Sequence, residues 1–242
     1  PDEARVRVME TKRGEFYISI EPLKLLPREI YEKGVRVETT TLHRNDPRVK
    51  STAFISASDE ERKHIAQAGI FEALLVKNGR ILEGMTSNFF YILRPERNVL
   101  RLRSSQLALL TPLRTEEEWQ GVQSKDASSA GLTSISPSAH IVPTISRERG
   151  IICTAQRDIL LGVTRTIVIR AARGRGLGVR FRSLRLDQLS RVKEAFITSS
   201  SRGIVPVIHI DDVIVGQGSP GKVTRMLMSA YDEYVLKHAE VI

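Results

Sequence analysis

A carboxylate set in an apolar strand, a lysine upstream of it and two groups of small hydroxyls downstream are the residues of this 242-residue chain that could do chemistry. Glu83 ends the apolar stretch Ile81-Leu82, and Gly84-Met85-Thr86-Ser87-Asn88 interrupts the pattern before Phe89-Phe90-Tyr91-Ile92 resumes it. Burying a carboxylate is costly unless it meets a positive partner. Glu83 is therefore either a solvated strand end beside an Asx-type turn or a group that faces a cation. Lys50 stands 33 positions earlier, after Asn45-Asp46-Pro47-Arg48-Val49. Hydroxyls occur at Thr164, next to Gly162-Val163, and at Ser199-Ser200-Ser201. A helix amino terminus offers unpaired N–H groups and a positive dipole end to a phosphate. Hydroxyls at a strand-end turn can do the same together with backbone N–H groups. On local grounds Thr164 reads equally well as a helix cap, and the serine run as a plain loop.

The elements that would carry these residues follow from pattern. Leu74-Leu75-Val76, Asn78-Gly79 and Ile81-Leu82 read as a β-hairpin, because Asn-Gly tolerates the positive φ of a two-residue turn. Residues 34–41 are alternating and β-branched, the first strand of a larger domain. Asp59–Ala68 is predicted helical, with Ser58 as N-cap and Gly69 closing it. From Thr164 the chain reads as a helix that stops at Gly174-Arg175-Gly176-Leu177-Gly178. That glycine run follows a helix and precedes a strand, the reverse of the order a dinucleotide site needs. Glu194–Thr198 and Ile204–Val207 read as strands flanking the serines. A final helix runs from Lys222 to about Lys237, with Val223, Met226, Leu227, Ala230 and Tyr234 on one face. At the front, Ala4–Met9 and Phe16–Ile20 alternate like half-buried strands, and the two prolines of residues 21–28 make a connector.

Composition sets the outer limits. The formal charge is +9, yet the basic residues are scattered without long blocks or interleaved aromatics, and Phe, Tyr and Trp make up 5% of the chain. This argues against nucleic acid as the partner. The single cysteine, Cys153, allows no internal disulfide and fits a reducing compartment. No apolar run approaches a membrane span and no signal-peptide pattern opens the chain, so the expected location is the cytoplasm or an organellar matrix. His43, His64, His140, His209 and His238 lack metal-ligand spacing, and no Gly-x-Ser-x-Gly elbow is present. No metal is expected.

Lys50 followed by Glu83-Gly84-x-x-Ser87-Asn88-x-Phe90 resembles the class IV aminotransferases, the pyridoxal-phosphate enzymes of fold type IV. The resemblance recurs at Gly162-Val163-Thr164-Arg165, at residues 194–201, at Ile204-Val205-Pro206-Val207 and at residues 216–221 with Thr224. It covers roughly residues 34–100 and 151–235. It implies an α+β chain with the D-amino acid aminotransferase-like fold and pyridoxal 5′-phosphate as cofactor. Lys50 would hold the cofactor and shuttle a proton, and Glu83 would face the pyridine nitrogen. Ser87 and Asn88 would support the cofactor's surroundings, and Leu160 would pack behind the ring. Val163, Thr164, Ser199 and Ser200 would receive the phosphate. The implied reaction is amino transfer between an amino acid, branched-chain-like, and a 2-oxo acid, in a homodimer. An aminodeoxychorismate lyase would use the same lysine and carboxylate.

The resemblance also divides the chain. Residues 1–33 would be the remnant of a small amino-terminal domain with its connector, and residues 34–242 the large cofactor-binding domain. Residues 101–150 show no sustained period and read as a disordered insertion. Two departures stand out. Ala53-Phe54 replaces an Asn-Tyr found after the lysine in many branched-chain members. The family's phosphate-binding arginine belongs to the small domain, most of which is missing here, so this chain is expected to be a fragment that binds cofactor weakly and turns over slowly or not at all.

Overall fold

Asn78 and Gly79 both take positive φ, 52° and 67°, and the tight turn they make joins β4 (Glu72–Lys77) to β5 (Arg80–Gly84). The computed structural model describes residues 4–44, 46–94 and 150–238. In these residues β4 and β5 form part of a closed ring of strands. The others are β3 (Val35–Thr40), β6 (Asn88–Leu93), β10 (Val192–Ser199) and β11 (Gly203–Ile210). Hydrogen bonding runs β6-β10-β11-β3-β4-β5 and returns to β6 through the pair Glu83↔Asn88. β3 lies parallel to β4 and β11, and the remaining ring pairs are antiparallel. Beside β6 the sheet continues as β7 (Ile151–Thr154) and β8 (Gly178–Phe181). Short strands β9 (Leu184–Arg185) and β12 (Val213–Ile214) lie on β5 and β11.

Alternation along each strand sorts the side chains. Val37, Leu74, Ile81, Phe89, Tyr91, Ile197, Val205 and Val207 fill the ring. The intervening residues Phe90, Ile92, Phe196 and Ile204 face outward. They are covered by Val168 of α4 (Val163–Gly174) and Leu227 of α5 (Lys222–His238). Each fully buried side chain of this size contributes about 1.5–3 kcal/mol, so both faces of β6 and β10 resist opening. On the opposite flank, Ile65 of α3 (Asp59–Gln67) packs with Ala73, Leu75 and Met85.

The structure corrects three local expectations. Strands β1 (Ala4–Glu10) and β2 (Phe16–Pro22) pair with each other but are not half-buried: Val6, Val8, Phe16, Ile18 and Ile20 are exposed. Alternation makes a strand, but burial needs a second layer, and none of the described residues supplies one. Ser58 does not cap α3; the short helix α2 (Ala53–Ala57) ends beside it, and its hydroxyl donates to the Ile55 carbonyl at 2.9 Å. Helix α4 begins one residue early, with Gly162 at the N-cap position and Thr164 in the first turn. The connector before helix α1 (Arg28–Lys33) lacks regular structure after Pro22, as its prolines require. Residues 101–149 of the expected insertion lie outside the described residues. The strands that flank that segment, β6 and β7, pair antiparallel through Phe90↔Thr154 and Tyr91↔Cys153.

Helix α5 depends on a single buried carboxylate. Glu194 accepts hydrogen bonds from the Thr224 N–H at 2.8 Å, the Thr224 hydroxyl at 2.9 Å and the Val223 N–H at 3.3 Å. Negative charge against a helix amino terminus satisfies donors that have no intrahelical partner. A Cβ at Gly221 would collide with this carboxylate, which explains the glycine there. Glu194→Ala is expected to lower unfolding stability by about 2–4 kcal/mol, while Lys193→Ala, on the exposed face, stays within about 0.5 kcal/mol. Chemical denaturation of the two variants checks the difference.

Candidate active site

The ring closes where the chemistry-bearing residues meet. The β4–β5 pairing shifts register between Leu75↔Glu83 and Val76↔Ile81, so Leu82 is an extra residue on β5. Such a bulge re-aims the side chains beyond it. Ile81 points into the ring, whereas Glu83 shares the outer face with Leu75, Asn88 and, through Asn88↔Thr198, with Thr198.

Glu83 is 2% exposed and has three donors. Arg44 Nε approaches Oε1 at 3.0 Å, the Leu160 N–H donates to Oε2 at 2.9 Å, and Asn88 Nδ2 lies 3.4 Å from Oε2. Arg44 is itself fixed, donating from Nη2 to the Met85 carbonyl at 2.6 Å and lying over the Phe54 ring at 3.9 Å. The chain after β3 is thereby tied to the β5–β6 turn. Burial pushes the Glu83 carboxyl up to about 7, against the pull of the Arg44 guanidinium and the Leu160 N–H, and nearby Glu72 adds to the rise. A pocket beside the ion pair is lined by His43, Arg44, Pro47, Leu82 and Asp158, among others.

Asn88 acts as a clamp. Its Nδ2 donates to the Leu160 carbonyl at 2.6 Å, and its Oδ1 accepts from the Gly162 N–H at 3.2 Å. A Cβ at Gly162 would stand 2.5 Å from that Oδ1, so only glycine lets α4 start this close to the sheet. Thr164 is buried in the first turn of α4, and Val163 beside it is exposed. Arg165 is buried as well, which lowers its affinity for a proton, and its Nη2 donates to the Ala155 carbonyl at 2.8 Å.

Thr198, 2% exposed, carries a buried hydroxyl with no hydrogen-bond partner among the described residues.

The structure thus brings Glu83, Asn88, Leu160 and the Gly162–Thr164 helix start into one bonded set. It does not bring Lys50 or Ser200 into that set: both are exposed, and neither makes a side-chain hydrogen bond or ion pair among the described residues. Ser87 turns away from it, its hydroxyl donating to Glu72 Oε1 at 3.0 Å. Ser199 accepts from Arg202 Nε at 3.0 Å.

Sequence reading missed Arg44, Glu72 and Arg202. Glu72 carried the same signal as Glu83, a carboxylate bordering the apolar run Ala73-Leu74-Leu75-Val76. Nothing local marked the two arginines among 37 basic residues. Among the described residues no group of His, Cys, Asp or Glu could hold a metal ion, and no helix is long and apolar enough to cross a membrane.

The family model for amino-transferase class IV matches residues 2–210. This chain belongs to the class IV aminotransferase family. One relative, the D-alanine aminotransferase of Bacillus licheniformis, is 33% identical over 78 residues, which are 32% of this chain and 28% of the relative. The enzyme of the same name from Listeria monocytogenes serotype 4b is 34% identical over 90 residues, or 36% of this chain and 31% of that protein. The chain spans less than a third of the length of these curated relatives. Solved structures extend the likeness of fold to nearly the whole chain. The T.th. branched-chain amino acid aminotransferase with pyridoxamine 5′-phosphate has a TM-score of 0.65 at 21% identity, covering 94% of this chain and 60% of that one. The enzyme from Thermoproteus uzoniensis with norvaline has a TM-score of 0.59 at 20% identity, covering 93% and 58%. The α+β, fold type IV architecture is therefore that of the family.

The position of Glu83 has a consequence for stability. Its carboxyl titrates near 7 in the folded protein and near 4.5 when exposed, so the folded state binds the extra proton between these values. Stability from this group is fully present below about pH 4.5 and is lost as pH rises to about 7. The melting-temperature difference between wild type and Glu83→Gln is expected to move against the wild type across that window. A difference independent of pH would contradict the assignment.

Proposed function

We propose that this protein is a pyridoxal 5′-phosphate enzyme that moves an amino group between an amino acid and a 2-oxo acid. We further propose that it works as a homodimer in the cytoplasm or an organellar matrix. The observation that carries this reading is the donor count at Glu83. An ionised carboxylate accepts about four hydrogen bonds, and Glu83 receives three, from Arg44, Leu160 and Asn88. The remaining site suits the N–H of a protonated pyridine ring. The unpartnered Thr198 hydroxyl next to Asn88 fits the same reading, because an oxyanion near the start of α4 would give it an acceptor.

When bound, the cofactor supplies an electron sink for the substrate carbon that gives up its proton. Everything else falls to this chain's residues. Glu83 holds a proton on the pyridine nitrogen, and Asn88 and the Leu160 N–H hold Glu83. Leu160 would pack behind the pyridine ring. Val163 and Thr164 offer first-turn N–H groups to the phosphate, joined by the hydroxyls of Ser199 and Ser200. Lys50 holds the cofactor through its amine and carries the proton to and from the substrate. Arg44, which precedes Lys50 in the chain, is bonded to Glu83, while Lys50 itself is exposed outside that bonded set. The named relatives act on D-alanine or branched-chain amino acids. An aliphatic amino acid is accordingly the substrate class we assign.

The test is chemical. Borohydride reduction of the purified protein with pyridoxal 5′-phosphate is expected to fix the cofactor on Lys50, read by peptide mass mapping. Lys50→Ala is expected to abolish the attachment and to lower amino transfer by about 10²- to 10⁴-fold. A reducible adduct that persists on another lysine would contradict the assignment.

A further inference from the structure

A second arginine–carboxylate pair sits at one end of the ring. Glu72 opens β4, Thr86 and Ser87 lie in the β5–β6 turn, and Ser200–Arg202 form the turn between β10 and β11. Strand directions bring these three places to the same end. Glu72 Oε1 accepts from the Thr86 N–H at 2.6 Å and from the hydroxyls of Thr86 and Ser87 at 3.0 Å. Arg202 spans the gap. Its Nη2 lies 2.9 Å from Glu72 Oε2 and donates to Thr86 Oγ1 at 2.7 Å, and its Nε donates to Ser199 Oγ at 3.0 Å. The guanidinium lies over the Phe71 ring at 5.3 Å, and the Arg202 carbonyl accepts from the Tyr31 hydroxyl at 3.0 Å. Both charged side chains are largely buried, 18% and 3% exposed.

This clasp is not needed to register the strands, which are already paired from Ala195↔Val207 to Ser199↔Gly203 and from Val192↔Leu93 to Thr198↔Asn88. The part without a strand partner is the turn itself, held locally by one backbone bond, Arg202 N–H to the Ser199 carbonyl at 3.3 Å. The clasp therefore fixes how the turn is presented. Because Arg202 Nε occupies a lone pair of the Ser199 hydroxyl, that hydroxyl's proton is free to donate elsewhere.

We propose that Arg202 and Glu72 are positioning residues that hold the Ser199–Ser201 turn in the orientation that receives the cofactor's phosphate. The proposal rests on the pyridoxal-phosphate reading. It gives this chain a cationic device at the phosphate end that acts through the turn and leaves the phosphate contacts to the serines.

The experiment compares the affinity of the purified protein for pyridoxal 5′-phosphate with that for pyridoxal, which lacks the phosphate. Wild type, Arg202→Met and the double variant Glu72→Gln/Arg202→Met are measured, with melting temperature alongside. Arg202→Met strands a buried carboxylate and is expected to melt earlier; the double variant removes that charge and is expected to recover wild-type melting. Both are expected to lose about tenfold or more in pyridoxal 5′-phosphate affinity with pyridoxal affinity unchanged. A double variant that recovers both melting and the wild-type preference for the phosphorylated ligand would overturn the proposal, leaving the clasp purely architectural. Equal losses for both ligands would overturn it too. A wild type that binds neither ligand would instead remove the pyridoxal-phosphate reading, and the clasp's role with it.

Discussion

Burying a carboxylate is tolerable only where donors replace the water it loses, and this fold meets that demand at Glu83 with two loop segments and one strand residue. The Arg44 guanidinium comes from the segment after β3, the Leu160 N–H from the loop before α4, and the Asn88 amide from the strand that closes the ring. Remove the carboxyl group and each of these pieces loses the acceptor it is bonded to. Glu72 and Glu194 work on the same principle, one gathering Thr86, Ser87 and Arg202, the other starting α5. In each case an acidic residue at or near a strand end gathers donors from other parts of the chain, so the carboxyl group fixes the local backbone.

The same arrangement explains why chemistry would be sited at the ring's closure. A bulge at Leu82 turns Glu83 outward from an otherwise apolar strand, and the single pair Glu83↔Asn88 completes the ring beside the start of α4. A carboxylate with one acceptor site open stands at this closure, pushed up to about 7 by burial in spite of its guanidinium partner. An ionised carboxylate facing a ring nitrogen would favour the proton there, which is what an electron-sink cofactor requires. The helix start lies one clamp away, through Asn88 and Gly162, so the two ends of such a cofactor would address parts of one bonded set.

Much of this was legible in the sequence because it is local. The Asn78-Gly79 hairpin, the alternation of β3, the strand reading of residues 194–198 and the helix stop after Gly174 all depend on neighbours in the chain. The anomalous carboxylate in an apolar strand singled out Glu83 before any fold was known. The identity of its cation was not legible. Arg44 reaches Glu83 across 39 positions and Arg202 reaches Glu72 across 130, and neither arginine has a local pattern that distinguishes it from the basic residues around it. The exposure of β1 and β2 was likewise invisible, since alternation specifies a face and says nothing about what covers it. The Ser58 cap failed because α2 ends immediately before it and redirects the hydroxyl.

Whether Glu83 holds a proton on a pyridine nitrogen decides the functional reading, and that proton can be observed directly. Nitrogen-15 resonance of pyridoxal 5′-phosphate labelled in the ring, bound to the purified protein near neutral pH, reports it. A protonated nitrogen is predicted in the wild type, with a shift to the unprotonated frequency in Glu83→Gln. An unprotonated nitrogen in the wild type, or a frequency indifferent to the substitution, would contradict the role assigned to Glu83.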